Sequence, residues 1–161
     1  MATWMDIDSE VPEFAARVRR IFESGTNKTL ATLRRDGSPR ISGTELEFEL
    51  AADMAGGTGT AAGRVTLGMM PGSRKLADVQ RDPRVAIHSP TLEPPKDDPN
   101  AWIGDAKFAG TLISITQPAA GPPGAYFKLD ITEVVLTYVI GDELVVESWH
   151  PHRGWRRMTR T

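Results

Sequence analysis

The sequence predicts a mainly β protein, an antiparallel barrel of six or seven strands with two short helices. Three observations favour this fold class. An apolar period of two begins near Lys28 and returns in most later segments. Short turns rather than helices join most of the predicted strands, and hairpin signals stand at Asp36-Gly37 and Gly141-Asp142. The length of 161 residues predicts a single domain over residues 1–161.

The N-terminal part of the chain predicts the first helix, in the segment SEVPEFAARVRRIFESG. Its apolar residues recur at helical spacing, and its arginines fall on other faces. Ser9 is the expected N-cap, and Gly25 is the expected end of the helix. Two strands should then pair around Asp36-Gly37.

The middle of the chain holds a run of small residues, Ala51 to Gly63, which predicts a flexible loop or a long hairpin tip. Within it, GTGTAA fits a permissive dinucleotide-binding fingerprint. A β-like run follows instead of a helix, so no helix N-terminus would receive a pyrophosphate and the fingerprint loses its mechanism.

The second helix is predicted in SRKLADVQRD, with Leu76 and Val79 facing inward and Pro83 ending it. The later strands are expected in RVAIHS, DAKFAGTLISI, YFKLDITEVVLTYVI and ELVVESW. The four arginines from Arg153 to Arg160 are typical of a frayed tail.

Composition excludes several classes of function. The formal net charge of −2 and the absence of a basic stripe argue against nucleic-acid binding. The chain contains no cysteine, which excludes disulfides, thiolate metal sites and a cysteine nucleophile. No segment approaches the roughly 18 apolar residues that a membrane span needs. We therefore expect a cytoplasmic protein with neither nucleic acid nor membrane as a partner.

The start of the second helix carries the clearest chemistry. A helix N-terminus presents unpaired N–H groups and a partial positive charge, which suits a phosphate group. Ser73, Arg74 and Lys75 add a hydroxyl and two cations there. The alternative is that Ser73 is only an N-cap and that the two cations are solvated.

The whole pattern resembles the pyridoxamine 5'-phosphate oxidase-like, flavin-binding split-barrel family. GSRKLADVQRDPRVAI is similar to the family's turn, Ser-Arg-Lys, two-turn helix and Asp-Pro-Arg-Val strand, and LATLRRDGSPRIS resembles its first hairpin. GDELVVESWHPHRGW is similar to its closing strand and Trp-Arg tail. The resemblance covers roughly Phe14 to Trp155 and implies an antiparallel split barrel.

The resemblance also implies a cofactor site. Ser73, Arg74 and Lys75 would bind the cofactor phosphate, with Arg40 as a further cation. Ile41 and Ser42 would face the ring system, and Met69 would lie beside the cofactor at a strand end.

Other parts of the site would come from the partner and from the tail. The resemblance implies a homodimer in which the partner's DAKFAG strand completes each site. Asp105 stands where the oxidase itself has a glutamine that contacts the flavin of the other subunit. Trp149 is either a partly buried strand end or a wall of the substrate pocket, and Arg153 would meet an anionic substrate or cofactor tail.

The function implied is hydride transfer between noncovalently bound FMN and a small organic substrate, and no catalytic residue can be named. One alternative keeps the fold and uses the deazaflavin coenzyme F-420. Another is a flavin-binding or haem-binding protein without turnover. His150 and His152 could begin a metal site, but no third ligand has suitable spacing, so we expect no metal.

Overall fold

A computed structural model describes residues 1–50 and 62–160 of the chain. That part holds nine strands, three α-helices and one short 3-10 helix, Pro99–Ala101. The helices are α1 Trp4–Glu10, α2 Pro12–Phe22 and α3 Arg74–Arg81. The strands are β1 Lys28–Leu33, β2 Pro39–Thr44, β3 Glu47–Leu50, β4 Ala62–Met69, β5 Arg84–His88, β6 Asp105–Ile115, β7 Ala125–Ile140, β8 Glu143–His150 and β9 Gly154–Arg160.

All these strands belong to one antiparallel sheet, which does not close on itself. Its main path runs β2-β1-β5-β6-β7-β4-β3, while β8 pairs with β7 and β9 pairs with β8. β7 is shared between two neighbours on the same side: its first residues pair with β4, and its second half, from Val134, pairs with β8. The predicted mainly β class and split-barrel architecture are confirmed.

The two predicted hairpins are also confirmed. β1 and β2 pair around Asp36-Gly37, and β7 and β8 pair around Gly141-Asp142. Gly37 and Gly141 have φ values of 81° and 58°, a conformation that glycine adopts at little cost.

The core lies between the sheet and the first two helices. α1 packs against β4, and α2 packs against β6. Phe108 of β6 stacks on Phe22 of α2 with ring centroids 4.5 Å apart. Trp4 and Phe48 contact the same cluster edge-on, so the aromatic rings join both helices to the sheet.

The N-terminal helix prediction was partly wrong. Ser9 lies inside α1, a separate helix that a Thr3–Asp6 capping box begins. α2 starts at Pro12 after Val11, which provides no side-chain cap. Proline suits the first helical turn because its missing N–H would lack a helical partner there.

The predicted frayed tail was wrong as well. Residues Gly154–Arg160 form β9, which pairs with β8 along its whole length. A buried carboxylate supports this pairing: Glu147 of β8 accepts hydrogen bonds from Trp155 of β9, Tyr138 of β7 and Arg17 of α2. Burial acts to raise the pKa of Glu147, but these hydrogen bonds lower the pKa more, so the net pKa lies below its ordinary value.

The small-residue run falls mostly outside the described residues. Ala62 and Gly63 belong to β4, whereas residues 51–61 are not described. β3 and β4, which this segment joins, pair antiparallel as a hairpin would require. No helix in the described part of the chain has the length and apolar character that a membrane crossing needs.

Candidate functional site

A cleft of about 500 Å³ opens between the end of β2, β3, the end of β4, the start of α3 and the loop before β7. Its volume lies in the range of roughly 300–1,000 Å³ typical of small-molecule sites. Two residues predicted from the sequence, Met69 and Lys75, line it directly. Gly43, which follows the predicted Ser42, lines it as well.

The start of α3 is built as the sequence predicts. Gly72 has a φ of 71° and turns the chain after β4. Ser73 is the N-cap, with its Oγ accepting a hydrogen bond from the Leu76 N–H at 3.3 Å. Because the hydroxyl acts only as an acceptor in this contact, its proton remains able to donate to a ligand. Arg74 is exposed at the first helical position.

Lys75 points across the cleft to the edge of the sheet. Its Nζ donates to the Gly43 carbonyl oxygen of β2 at 2.7 Å. Partial burial of the ammonium lowers the pKa of Lys75, and the nearby charge of Glu45 opposes that change. The cation therefore sits at the rim of the cleft and links α3 to β2.

Arg40 points to α3 rather than into open solvent. Its Nε donates to Oδ2 of Asp78 at 2.6 Å, and Asp78 is only 3% exposed. The same carboxylate accepts hydrogen bonds from the Thr32 hydroxyl at 2.9 Å and from Arg81 at 3.3 Å. The Arg40 hydrogen bond is the main cause that lowers the pKa of Asp78 from 3.8 to about 2.

Ile41 and Ser42 lie on β2, an edge strand of the described sheet. Side chains alternate along it, so Arg40, Ser42 and Thr44 face inward while Ile41 and Gly43 face outward. Ile41 is 75% exposed. Of the β2 residues, Gly43 and Thr44 line the cleft, whereas the exposed Ile41 and the half-buried Ser42 precede them on the strand and do not line it.

The wall of the cleft across from β2 is formed mainly by apolar side chains. Met69 is buried at the end of β4, and the next residue, Met70, is exposed. The Tyr126 ring lies against Gly68, where an added Cβ would come within 3.1 Å of the ring. The Tyr126 hydroxyl donates to the Pro122 carbonyl at 2.7 Å, which holds the proline-rich loop in place.

The floor of the cleft is acidic away from Lys75. Glu45, Glu47 and Glu49 line that side. Glu49 is paired with Arg64 at 2.6 Å. An anionic group on a ligand would therefore be favoured at the α3 end and disfavoured along β3.

Comparison with models of known protein families finds no match, and comparison with curated proteins finds none either. Solved structures do match. A pyridoxamine 5'-phosphate oxidase-related, FMN-binding protein of Nostoc punctiforme has a TM-score of 0.62 at 13% identity, covering 98% of this chain and 99% of that one. The chain has the pyridoxamine 5'-phosphate oxidase-like split-barrel fold.

Two further split barrels align over most of this chain. PhzG of Burkholderia lata, solved with tetrahydrophenazine-1-carboxylic acid, has a TM-score of 0.58 at 10% identity and covers 93% of this chain and 87% of its own. ChuZ of Campylobacter jejuni has a TM-score of 0.57 at 11% identity and covers 87% of this chain and 60% of its own. At these identities the likeness establishes the fold.

Within the split barrel, the two residues predicted to bind substrate are not brought to the cleft. Trp149 is 3% exposed in the core, and its Nε1 donates to Oε2 of Glu10 in α1 at 2.9 Å. Of the two alternatives for Trp149, a strand end or a wall of the substrate pocket, this position corresponds to the strand end. Arg153 is exposed in the turn between β8 and β9. Neither side chain lines the cleft of its own chain.

Asp105 begins β6 on the outer face of the sheet. Its Oδ1 is buried and has no hydrogen-bond partner among the described residues. The nearest basic side chains are His88, with Nε2 3.7 Å from Oδ2, and Lys107, with Nζ 3.9 Å from Oδ1. Both distances exceed hydrogen-bonding range.

In residues 1–50 and 62–160, no group of three or more His, Asp or Glu side chains is placed to hold a metal ion. Of the two histidines considered as ligands, His150 lies 3.4 Å from Glu133 and His152 occupies the β8–β9 turn.

Sequence analysis missed Asp78 and Tyr126 as parts of the site. Asp78 had a local signal, because a carboxylate on the inward side of a short amphipathic helix needs a buried partner. Tyr126 had none, because its position beside Gly68 depends on the pairing of β4 with β7.

Proposed function

We propose that this split barrel binds FMN with its phosphate at the start of α3 and acts as an oxidoreductase on a small organic substrate. The observation that carries the proposal is that Lys75 lines the cleft two residues after Ser73, which caps the start of α3. The FMN-binding protein of the same fold supports this choice of cofactor.

The residues present fit a phosphate group. α3 offers unpaired backbone N–H groups and the positive end of its dipole. The Ser73 hydroxyl has a proton to donate, and Arg74 and Lys75 supply two cations. Lys75 now donates to a neutral carbonyl, and exchanging this for a dianionic acceptor gives a stronger, charge-assisted bond.

The remaining cleft residues fit the flavin ring. The edge backbone of β2 at Gly43 and Thr44 would lie along one side of the ring, with Ile41 and Ser42 just before it on the same strand. Met69, Met70 and Tyr126 would exclude water from the other side. Bound flavin supplies the hydride-transfer chemistry, while the chain binds and orients it.

The proposal includes self-association. Asp105 carries a buried oxygen without a donor on the outer sheet face, and a donor from a second copy would satisfy it. Ile41 exposes a large apolar side chain on the same face. A homodimer joined through this face would place one copy's β6 near the other copy's cleft, and light scattering on the purified protein measures the oligomeric state.

The binding test compares FMN with riboflavin, which lacks the phosphate. Wild-type protein should bind FMN at least about tenfold more tightly, because each charge-assisted contact contributes about 1.5–3 kcal/mol. The double variant Arg74→Ala with Lys75→Ala should lose this preference and stay folded, with only a small decrease in melting temperature from the loss of the exposed Lys75–Gly43 hydrogen bond. Arg156→Ala with Arg160→Ala, which removes two cations from exposed β9, is the matched control and should bind like wild type.

Equal binding of FMN and riboflavin, or an unchanged preference in the Arg74/Lys75 variant, would contradict the proposed site. A titration with deazaflavin coenzyme F-420 tests the alternative cofactor on the same cleft. Anaerobic addition of a nicotinamide donor then tests turnover: reduction of the bound flavin supports an oxidoreductase, and retention without reduction supports a binding protein.

A further inference from the structure

A line of polar contacts fixes α3 on the β1–β2 hairpin. Lys75 at the start of the helix donates to the carbonyl of Gly43, and Arg81 at its end donates to the carbonyl of Leu33. Asp78 lies between them and accepts from Arg40 of β2. The helix is therefore held along its whole length rather than at one end.

Asp78 is the most buried member of this line. Its side chain is 5% exposed, whereas those of Arg40 and Arg81 are 20% and 35% exposed. It also accepts from Thr32 of β1, so one carboxylate joins three elements. Leu76 and Val79 pack into the core on either side of Asp78, so the directional bonds of this carboxylate act together with apolar packing to set the rotation of the helix over the hairpin.

Asp78 partly neutralises Arg40 in this arrangement. Its Nε–H is directed at the Asp78 carboxylate at 2.6 Å, and the two opposite charges largely cancel at a distance. The cations at the helix start, Arg74 and Lys75, form no direct ion pair among the described residues, although the charge of Glu45 lies near Lys75.

We propose that Asp78 is a positioning residue for phosphate binding, which acts through Arg40 to hold the start of α3 at a fixed place beside the edge of β2. Arg40 is then an anchor of the helix rather than a phosphate ligand. This inference rests on the proposed FMN site. Its physical basis is that N–H and hydroxyl donors bind a phosphate well only when they are aligned in advance, and displacement by about 1 Å is costly.

The test measures the Kd of FMN and of riboflavin for wild type, Asp78→Asn, Arg40→Gln and the double variant. Asp78→Asn should weaken FMN binding about tenfold and change the Kd of riboflavin by no more than about twofold. The preference for the ligand with a phosphate should therefore decrease. The double variant should recover most of the FMN affinity, because it removes the uncompensated charge and leaves two amides able to hydrogen-bond. Asp82→Asn removes a half-buried carboxylate just beyond the same helix, which pairs with Arg84, and should bind like wild type.

The alternative, in which Arg40 is itself a phosphate ligand, predicts the opposite change in FMN affinity. If Arg40 binds the phosphate directly, Asp78→Asn frees it and tightens FMN, while Arg40→Gln and the double variant both weaken FMN; this pattern would overturn the inference. A uniform loss for FMN and riboflavin would also overturn it, since a merely structural role predicts that result.

Should Asp78→Asn fail to fold, Thr32→Val removes a single neutral donor from the same carboxylate. It should reduce the FMN preference by a smaller factor, and an unchanged preference would count against the inference. The proposed function fails separately, when wild type shows no preference for FMN over riboflavin. A wild-type preference that survives in Asp78→Asn refutes only the positioning role.

Discussion

Acid should destabilise this protein in part through Asp78, and the size of the effect follows from its surroundings. The pKa of Asp78 is lowered from 3.8 to about 2, chiefly by the hydrogen bond from Arg40. At about 1.4 kcal/mol for each pKa unit, the ionised carboxylate stabilises the folded chain by about 2 kcal/mol at neutral pH. Solvent screens this little, because the side chain is only 5% exposed.

The sign of the pH dependence is fixed by which state holds the proton more tightly. The folded pKa lies below the unfolded pKa, so the stabilisation is fully present above about pH 5 and is lost as the pH falls towards 2. Asp78→Asn removes the charge at every pH. The difference in unfolding free energy between wild type and this variant should therefore be about 2 kcal/mol at pH 7 and should shrink steadily below pH 4.

Urea denaturation followed by tryptophan fluorescence, at several pH values between 7 and 2.5, measures this difference. Other carboxylates titrate in the same range, but they are present in both proteins and cancel in the comparison. A difference that stays constant from pH 7 to pH 2.5 would refute the reasoning, because it would show that the charge of Asp78 does not carry the stabilisation.

Four other substitutions test the fold and the site. Phe108→Ala should lower the unfolding free energy by about 3–5 kcal/mol in urea, since it empties the centre of the aromatic cluster. Gly110→Ala should prevent stable folding by circular dichroism, because its Cβ would lie 2.2 Å from a β7 carbonyl oxygen, whereas Gly43→Ala, with nothing within 4 Å, should fold normally. Trp149→Phe should lower the unfolding free energy by about 1–2 kcal/mol, because the hydrogen bond to Glu10 is lost, and should leave FMN affinity unchanged. Weaker FMN binding would show that Trp149 contributes to the pocket.

Sequence patterns predicted the elements whose signals are local. The α3 region is the clearest case: the helix begins after Ser73, Leu76 and Val79 are buried and the helix ends before Pro83, all as predicted. α1 was missed although Thr3 and Asp6 form its capping box, because only Trp4 and Ile7 mark its buried side. Two apolar residues are too few to show a helical period.

β9 was missed for a different reason. It is exposed on nearly every residue, so it has no buried face and no alternating apolar pattern. Its backbone bonds to β8 and the contact of Trp155 with Glu147 form only after the chain has folded.

The candidate site likewise contains some residues that local sequence could place and others that it could not. Lys75 and Met69 reach the cleft because they lie next to the turn before α3, within a few residues of each other. The partners of Arg40 and Trp149 are 38 and 139 residues away in sequence, so no local pattern could show that these side chains were already engaged.

The shared strand β7 divides the sheet into regions of unequal local stability. β6 pairs with most of β7, so opening that pair disrupts the core, whereas β9 attaches to the sheet through β8 alone. β8 is held by the second half of β7 and by its buried Trp149 and Glu147, which bond to α1 and α2. β9 can therefore detach while β8 stays paired with β7. Amide protons of β9 should exchange with solvent fastest, those of β8 more slowly, and those of the β6–β7 pair only through global unfolding.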